Sequence, residues 1–93
     1  MAVVFDERLR LPDDVLVSDL DGEAVILNLK TESYFGLDRI GARMLTAVTT
    51  ADSVEAAYDT LAGEFDVDRN QLREHLVEIL DHLLEHGLLE VQA

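Results

Sequence analysis

Asp21-Gly22 separates two runs of aliphatic and β-branched residues, Val15-Leu16-Val17-Ser18-Asp19 and Glu23-Ala24-Val25-Ile26-Leu27-Asn28-Leu29. Glycine accepts the positive φ of a tight turn, so an Asp-Gly pair flanked by two such runs is a strong hairpin signal. Pro12-Asp13-Asp14 announces the first strand as a turn. The polar break Lys30-Thr31-Glu32 leads into a third short run, Ser33-Tyr34-Phe35-Gly36-Leu37. Two consecutive short links predict a three-stranded antiparallel meander.

The second half changes period. Asp38 is placed to cap a short helix with Ile40, Met44, Leu45 and Val48 on one side, and Gly41 and Ala42 leave room for another element at its first turn. A second helix starts at Asp52 or Ser53, where Asp52 and Glu55 have capping-box spacing. Its stripe is Val54, Ala57, Tyr58, Leu61 and Phe65, and Gly63 blurs its end. Asp68 and Gln71 have the same capping spacing at the start of a third helix, which Gly87 stops. The order of three strands and three helices implies one α+β domain, with the helices packed on one side of a small sheet, over residues 1–93.

The third helix has a wide apolar face. Turning 100° per residue from Leu72, the residues Leu76, Ile79 and Leu83 lie within about 40° of it, and Leu80, Leu84 and Val77 extend the face to about 140°. A helix packing on one neighbour needs roughly 100°. Either the whole face is core, or its outer edge (Val77 and Leu84, with Arg73 beside them) lines a groove open to a partner.

Composition excludes several classes. The chain is 48% hydrophobic with one Pro and five Gly, a globular and not a disordered composition. Without cysteine it has neither a disulfide framework nor a thiolate metal site. The N-terminus lacks the basic region of a signal peptide, and no apolar stretch approaches the roughly 20 residues of a membrane helix. A soluble, cytoplasmic protein is expected. Twenty acidic against seven basic residues give −13 at pH 7, which repels nucleic-acid phosphates and anionic headgroups.

No arrangement for catalysis is readable. There is no nucleophile beside a base and no glycine-rich phosphate loop. His75, His82 and His86 fall within about 40° of one another on the third helix. His82 and His86 are spaced to reach one metal, but a polar flank beside the apolar stripe explains all three, and no metal or other cofactor is expected. Asp52-Ser53-Val54 resembles the phosphopantetheine site of acidic carrier proteins. A helix cap is the favoured explanation, and the hairpin stands where a carrier protein has a long helix.

The sheet edges carry the best functional hint. Pro12, Asp13, Asp14 and Asp19 guard the first strand against further pairing. The third strand, Ser33 to Leu37, has neither charge nor proline. An added peptide strand would satisfy its free N–H and C=O groups, with specificity from pockets for alternate side chains.

Tyr34-Phe35-Gly36-Leu37-Asp38, Gly41-Ala42-Arg43-Met44-Leu45, Ser53-Val54-Glu55, Glu64-Phe65-Asp66-Val67-Asp68 and the terminal Glu85-His86-Gly87-Leu88-Leu89-Glu90 together resemble the PqqD-like domains, over residues 11–90. The resemblance implies a winged-helix-like fold acting as a recognition element for ribosomally made, modified peptides. It implies a non-catalytic chaperone that binds the leader segment of a precursor beside the third strand and against the third helix. Carried onto this chain, the contacts are Ser33, Tyr34 and Phe35, with Arg73, Val77, Leu80 and Leu84 on the helix. His75 stands where many relatives have an Asp, so that contact is not carried over. Within the family the strand Tyr34-Phe35-Gly36-Leu37 is most similar to the leader-binding partner of lasso-peptide biosynthesis, which serves a separate leader peptidase. The alternatives are a PqqD-type partner of a radical enzyme, an acyl or peptidyl carrier, and a winged-helix DNA-binding protein. The last is opposed by the outer face of the third helix, where Glu74, Glu78, Asp81 and Glu85 outnumber Arg69 and Arg73.

Overall fold

The computed structural model describes residues 3–92. Its strands are β1 (Leu9–Arg10), β2 (Val15–Leu20), β3 (Glu23–Asn28), β4 (Tyr34–Leu37) and β5 (Glu90–Val91). Its helices are α1 (Arg39–Thr50), α2 (Val54–Glu64) and α3 (Arg69–Glu85). β2, β3 and β4 form the expected antiparallel meander in that order.

Local chemistry explains most of these elements. Asp21 and Gly22 both have positive φ, 54° and 90°, as the two central residues of a type I′ hairpin require. Asp38 caps α1 by accepting from the Gly41 N–H, and Asp68 caps α3 by accepting from the N–H groups of Asn70 and Gln71. At α2 the cap is Ser53, which accepts from Ala56 N–H, and not Asp52. Gly63 does not break that helix, which runs on to Glu64. Gly87, at φ 69°, ends α3 in a Schellman motif. Its N–H donates to Leu84 O, and Leu88 N–H donates to Leu83 O at 2.8 Å.

The pleat divides the sheet into two faces. Val15, Ala24, Ile26, Asn28 and Leu37 are buried on the helix side. There they meet a core built from Met44, Leu45 and Val48 of α1, Val54 and Leu61 of α2, and Leu76, Leu80 and Leu83 of α3. Ile40, expected on the inner side of α1, is exposed at the start of the helix. Gly41 is buried, and a Cβ there would lie 3.2 Å from Leu37 Cδ2 and 3.4 Å from Ile79 Cδ1. The small residue therefore lets α3 approach α1 and the start of the helix layer closely. Arg43 of α1 and Glu64 of α2 form a surface ion pair, which holds the Glu64 carboxyl below its ordinary range.

Two features were not legible in the pattern. β1 and β5 pair antiparallel, Leu9 with Val91 and Arg10 with Glu90, joining the two ends of the described chain. Just before β1, the carbonyls of Phe5 and Glu7 accept from Glu55 and Val54, so the N-terminal segment satisfies two donors of the first turn of α2.

Asn28 is the only buried polar side chain among the described core residues. Its Nδ2 donates to Gly87 O at 2.9 Å, and its Oδ1 accepts from the N–H groups of Lys30 and Thr31. Its backbone N–H donates to Ser33 O, and its carbonyl accepts from Glu32 N–H, both at 2.8 Å. Asn28→Ala removes three part-buried side-chain bonds and leaves a gap at a buried position, which should cost roughly 2–4 kcal/mol in chemical denaturation. Asn28→Asp keeps the acceptor but sets a buried carboxylate against a carbonyl. Burial raises the folded pKa of such a group above its unfolded value, so the deficit relative to wild type should shrink as pH falls through that range. A deficit that does not change between pH 7 and 4 would show that the amide does not donate to Gly87.

Candidate peptide-binding site

The register of the sheet decides which backbone groups are free. Because Asn28 N–H donates to Ser33 O, these two form a hydrogen-bonded pair. The antiparallel alternation then turns the N–H and C=O of Phe35 toward Ile26 and those of Leu37 toward Ala24. The same groups of Tyr34 and Gly36 point out of the sheet. β4 is a terminal strand of the meander, so this edge has two residues ready to pair with an added chain.

A groove runs beside it. Phe35, Gly36, Leu37, Asp38 and Gly41 form one wall and His75 and Ile79 of α3 the other, around a cavity of about 200 Å³. At one end the Phe35 ring meets His82, with ring centroids 4.3 Å apart. His82 in turn stacks on His86 at 4.3 Å, and the His86 ring nitrogen Nδ1 lies 2.9 Å from His82 O. At the other end His75 also lines a second hollow of about 200 Å³, shared with Ile40, Phe65, Val67, Gln71 and Leu72. His75 thus borders both hollows, the second of which is a mainly apolar dimple at the start of α3.

The structure places the three residues expected on the strand side along the β4 edge. Ser33 leads into the strand, Tyr34 is 74% exposed, and Phe35 is half-buried over His82. The helix side differs from expectation. Leu80 is 0% exposed and belongs to the core, with no surface to offer a ligand. Arg73 and Val77 lie along another hollow, with Glu74, Glu78 and Asp81, on the opposite flank of α3. There the Arg73 guanidinium sits 3.8 Å from the centre of the Phe5 ring, and Asp81 accepts from Val3 N–H at 2.7 Å. Leu84 falls on that same side of the helical wheel and is partly buried against the core. The apolar stripe is thus core in its centre, and its β4-facing border is Ile79 with the histidines.

Those residues had one readable signal. The three histidines share a side of α3 that lies across the stripe from Arg73 and Val77. Periodicity alone does not tell which border meets the sheet. Among the described residues no group of three or more His, Cys, Asp or Glu is placed to hold a metal ion. Ser53, the carrier-protein candidate, accepts from Ala56 N–H as a helix cap, on a fold that is not a helical bundle.

A family model described as coenzyme PQQ synthesis protein D (PqqD) matches residues 23–89. Two solved structures have this fold. One, described as TbiB1 in complex with the TbiA(beta) leader peptide, is 33% identical with a TM-score of 0.79, covering 90% of this chain and 98% of that one. The other, a lasso peptide synthetase B1 complexed with the leader peptide, is 20% identical with a TM-score of 0.77, covering 89% and 98%. A search of curated proteins finds no significant match. The matched span takes in β3, β4, all three helices and both walls of the groove, and the chain belongs to the PqqD family.

Proposed function

We propose that this protein is a non-catalytic recognition element. It binds the leader segment of a ribosomally made precursor peptide as an added strand on β4 and delivers it to a separate processing enzyme, a leader peptidase of a lasso-peptide pathway. The observation that carries this reading is the uncharged edge of Tyr34–Leu37, with two outward-facing residues, bordering an open groove against α3. Strand addition uses such an edge for main-chain bonding and the adjoining groove for side-chain selection. The solved structure at 33% identity, described as a complex with a leader peptide, supports the same ligand class. The family model's description keeps a PqqD-type role, presenting a precursor to a radical enzyme, as the second reading.

In this reading the leader's inward side chains face Ile79 and His75, and one apolar side chain fills the dimple of Ile40, Phe65 and Val67. Charge supports a peptide over nucleic acid. The chain carries −13, and of the arginines on α3, Arg69 pairs with Asp59 while Arg73 covers Phe5.

Two measurements with a labelled synthetic leader, taken from the precursor encoded in the same gene cluster, test the reading. Ile79→Ala should weaken binding by about 1–3 kcal/mol, or roughly five- to a hundredfold, because a partly open side chain loses the contact it buries on docking. Val77→Ala, on the far flank, should bind as wild type. Equal losses at the two positions would place the peptide elsewhere.

Tyr34→Pro removes an outward N–H without touching the β3 ladder and should cut affinity about tenfold or more, equivalent to about 1.4 kcal/mol. Phe35→Pro removes a bond inside the sheet and should instead lower the melting temperature. A folded Tyr34→Pro variant with undiminished affinity would exclude strand addition here.

A further inference from the structure

His75 borders both hollows and is half-buried, yet its ring nitrogens make no hydrogen bond among the described residues. Asp38 lines the first hollow with it. The Asp38 Oδ1 accepts from Gly41 N–H at 2.8 Å as the cap of α1, while its Oδ2 has no partner among the described residues. Gln71 apart, the other side chains lining the two hollows are aliphatic or aromatic. A carboxylate oxygen and an imidazole with unmet hydrogen-bonding capacity thus share an otherwise apolar groove.

The pleat decides which residue of a guest strand reaches them. A strand paired with the outward groups of Tyr34 and Gly36 turns alternate side chains into the groove, beside Phe35 and Leu37. The guest residue beside Phe35 meets Ile79 and the His82 ring. The one two places along, beside Leu37, comes to Asp38 and His75. An apolar side chain there would strip water from both groups and replace it with nothing. A polar group left unpaired on burial costs more than an ordinary hydrogen bond gains.

We infer that the guest residue beside Leu37 is a Lys or Arg, which donates to Asp38 Oδ2 and to a ring nitrogen of neutral His75. The pair thereby selects the leader and makes its binding weaken in acid. The inference rests on the leader-binding reading above.

Charge decides between a basic and an acidic guest. No Lys or Arg lines either hollow, in a chain of net charge −13. Around His75, α1 and its cap bring Asp38 and Arg39, α2 and the link after it bring Glu64, Asp66 and Asp68, and α3 itself brings Glu74 and Glu78. Glu64 is paired with Arg43, and Arg39 lies against the Gly22 turn, where a Cβ would be 3.2 Å from its Nη1. Arg73 covers Phe5 on the far flank. An acidic guest would meet carboxylates without a cation, whereas a basic one meets complementary charge. Imidazole is the side chain that changes charge between about pH 5 and 8, and carboxylates ordinarily titrate below that window. Protonating His75 removes the acceptor and sets a second cation beside the guest's, so affinity falls as pH falls.

The test follows binding of the labelled synthetic leader of the same gene cluster from about pH 8 to about pH 5.5. Wild-type affinity should fall at least about fivefold across that range. His75→Gln keeps an acceptor that does not titrate. It should bind within about threefold of wild type at the upper pH and hold that affinity throughout. His82→Gln should keep the wild-type fall. Asp38→Asn preserves the cap of α1 and should weaken binding about tenfold or more at the upper pH. Among leaders with each Lys or Arg singly replaced by Met, one should lose about tenfold in affinity together with the pH dependence. Wild-type affinity that is constant with pH overturns the inference, as does a fall retained in His75→Gln or in every Met-substituted leader. Affinity that rises in acid assigns the place to a carboxylate and overturns it too. Binding that Tyr34→Pro abolishes but pH leaves unchanged overturns this inference alone. Failure of wild type to bind leader at any pH overturns the strand-addition reading, and the inference with it.

Discussion

Both walls of the groove are set by one buried amide. The Asn28 side chain donates to Gly87 O, which ties the C-terminal end of α3 to the sheet. Its Oδ1 gathers the N–H groups of Lys30 and Thr31 and shapes the turn that sends the chain back as β4. Its backbone pairing with Ser33 fixes the register, and hence that Tyr34 and Gly36, not Phe35, present free groups. A buried amide with all these bonds made is tolerated, and a displaced partner would leave it unpaired in a low-dielectric core. The cost of breaking the set keeps strand and helix at one spacing. The Schellman cap at Gly87 supports the arrangement by fixing the carbonyl that the amide reaches.

The two free edges of the meander are treated differently by the sequence. β2 is preceded by Pro12, Asp13 and Asp14 and carries Asp19, which discourage further strand pairing. β4 carries no such residue. Backbone bonds made there replace bonds to water, so each contributes only about 0.5–1.5 kcal/mol net. Ordering an extended peptide offsets much of that gain. In the proposed binding mode, affinity and choice of ligand would therefore depend on the side chains that reach Ile79, His75 and the dimple beyond, where apolar area is removed from water. In that mode main-chain pairing would set the direction and register of the guest, and the groove would select it.

What was legible in the chain was what is local. The Asp21-Gly22 turn, the caps at Asp38 and Asp68, the stop at Gly87 and the stripe Leu72, Leu76, Leu83 all rest on spacings of a few residues, and all are present. The unguarded third strand was legible for the same reason. Tertiary choices were not. Periodicity gives α3 two borders of comparable width, and only packing decides that Ile79 and the histidines meet β4 while Arg73 covers Phe5. Leu80 looked like an edge residue by angle and is core because α3 is covered on more than one side. Asn28 lies near the end of an apolar run, and nothing local names its partner Gly87, at the far end of the helical half. β1 and β5 are two-residue strands, too short to show alternation.

The claim that a peptide joins β4 as a strand predicts a pattern of amide protection that no other docking mode shares. Hydrogen exchange followed by NMR, on the free protein and with the leader segment added, reads it residue by residue. In the free protein the amides of Phe35 and Leu37 should be protected by β3 while those of Tyr34 and Gly36 exchange freely. With the leader bound, Tyr34 and Gly36 should slow at least about tenfold, and Phe35 and Leu37 should remain protected. New protection on β2 at Val17 and Asp19, or none anywhere along the sheet, would contradict the account.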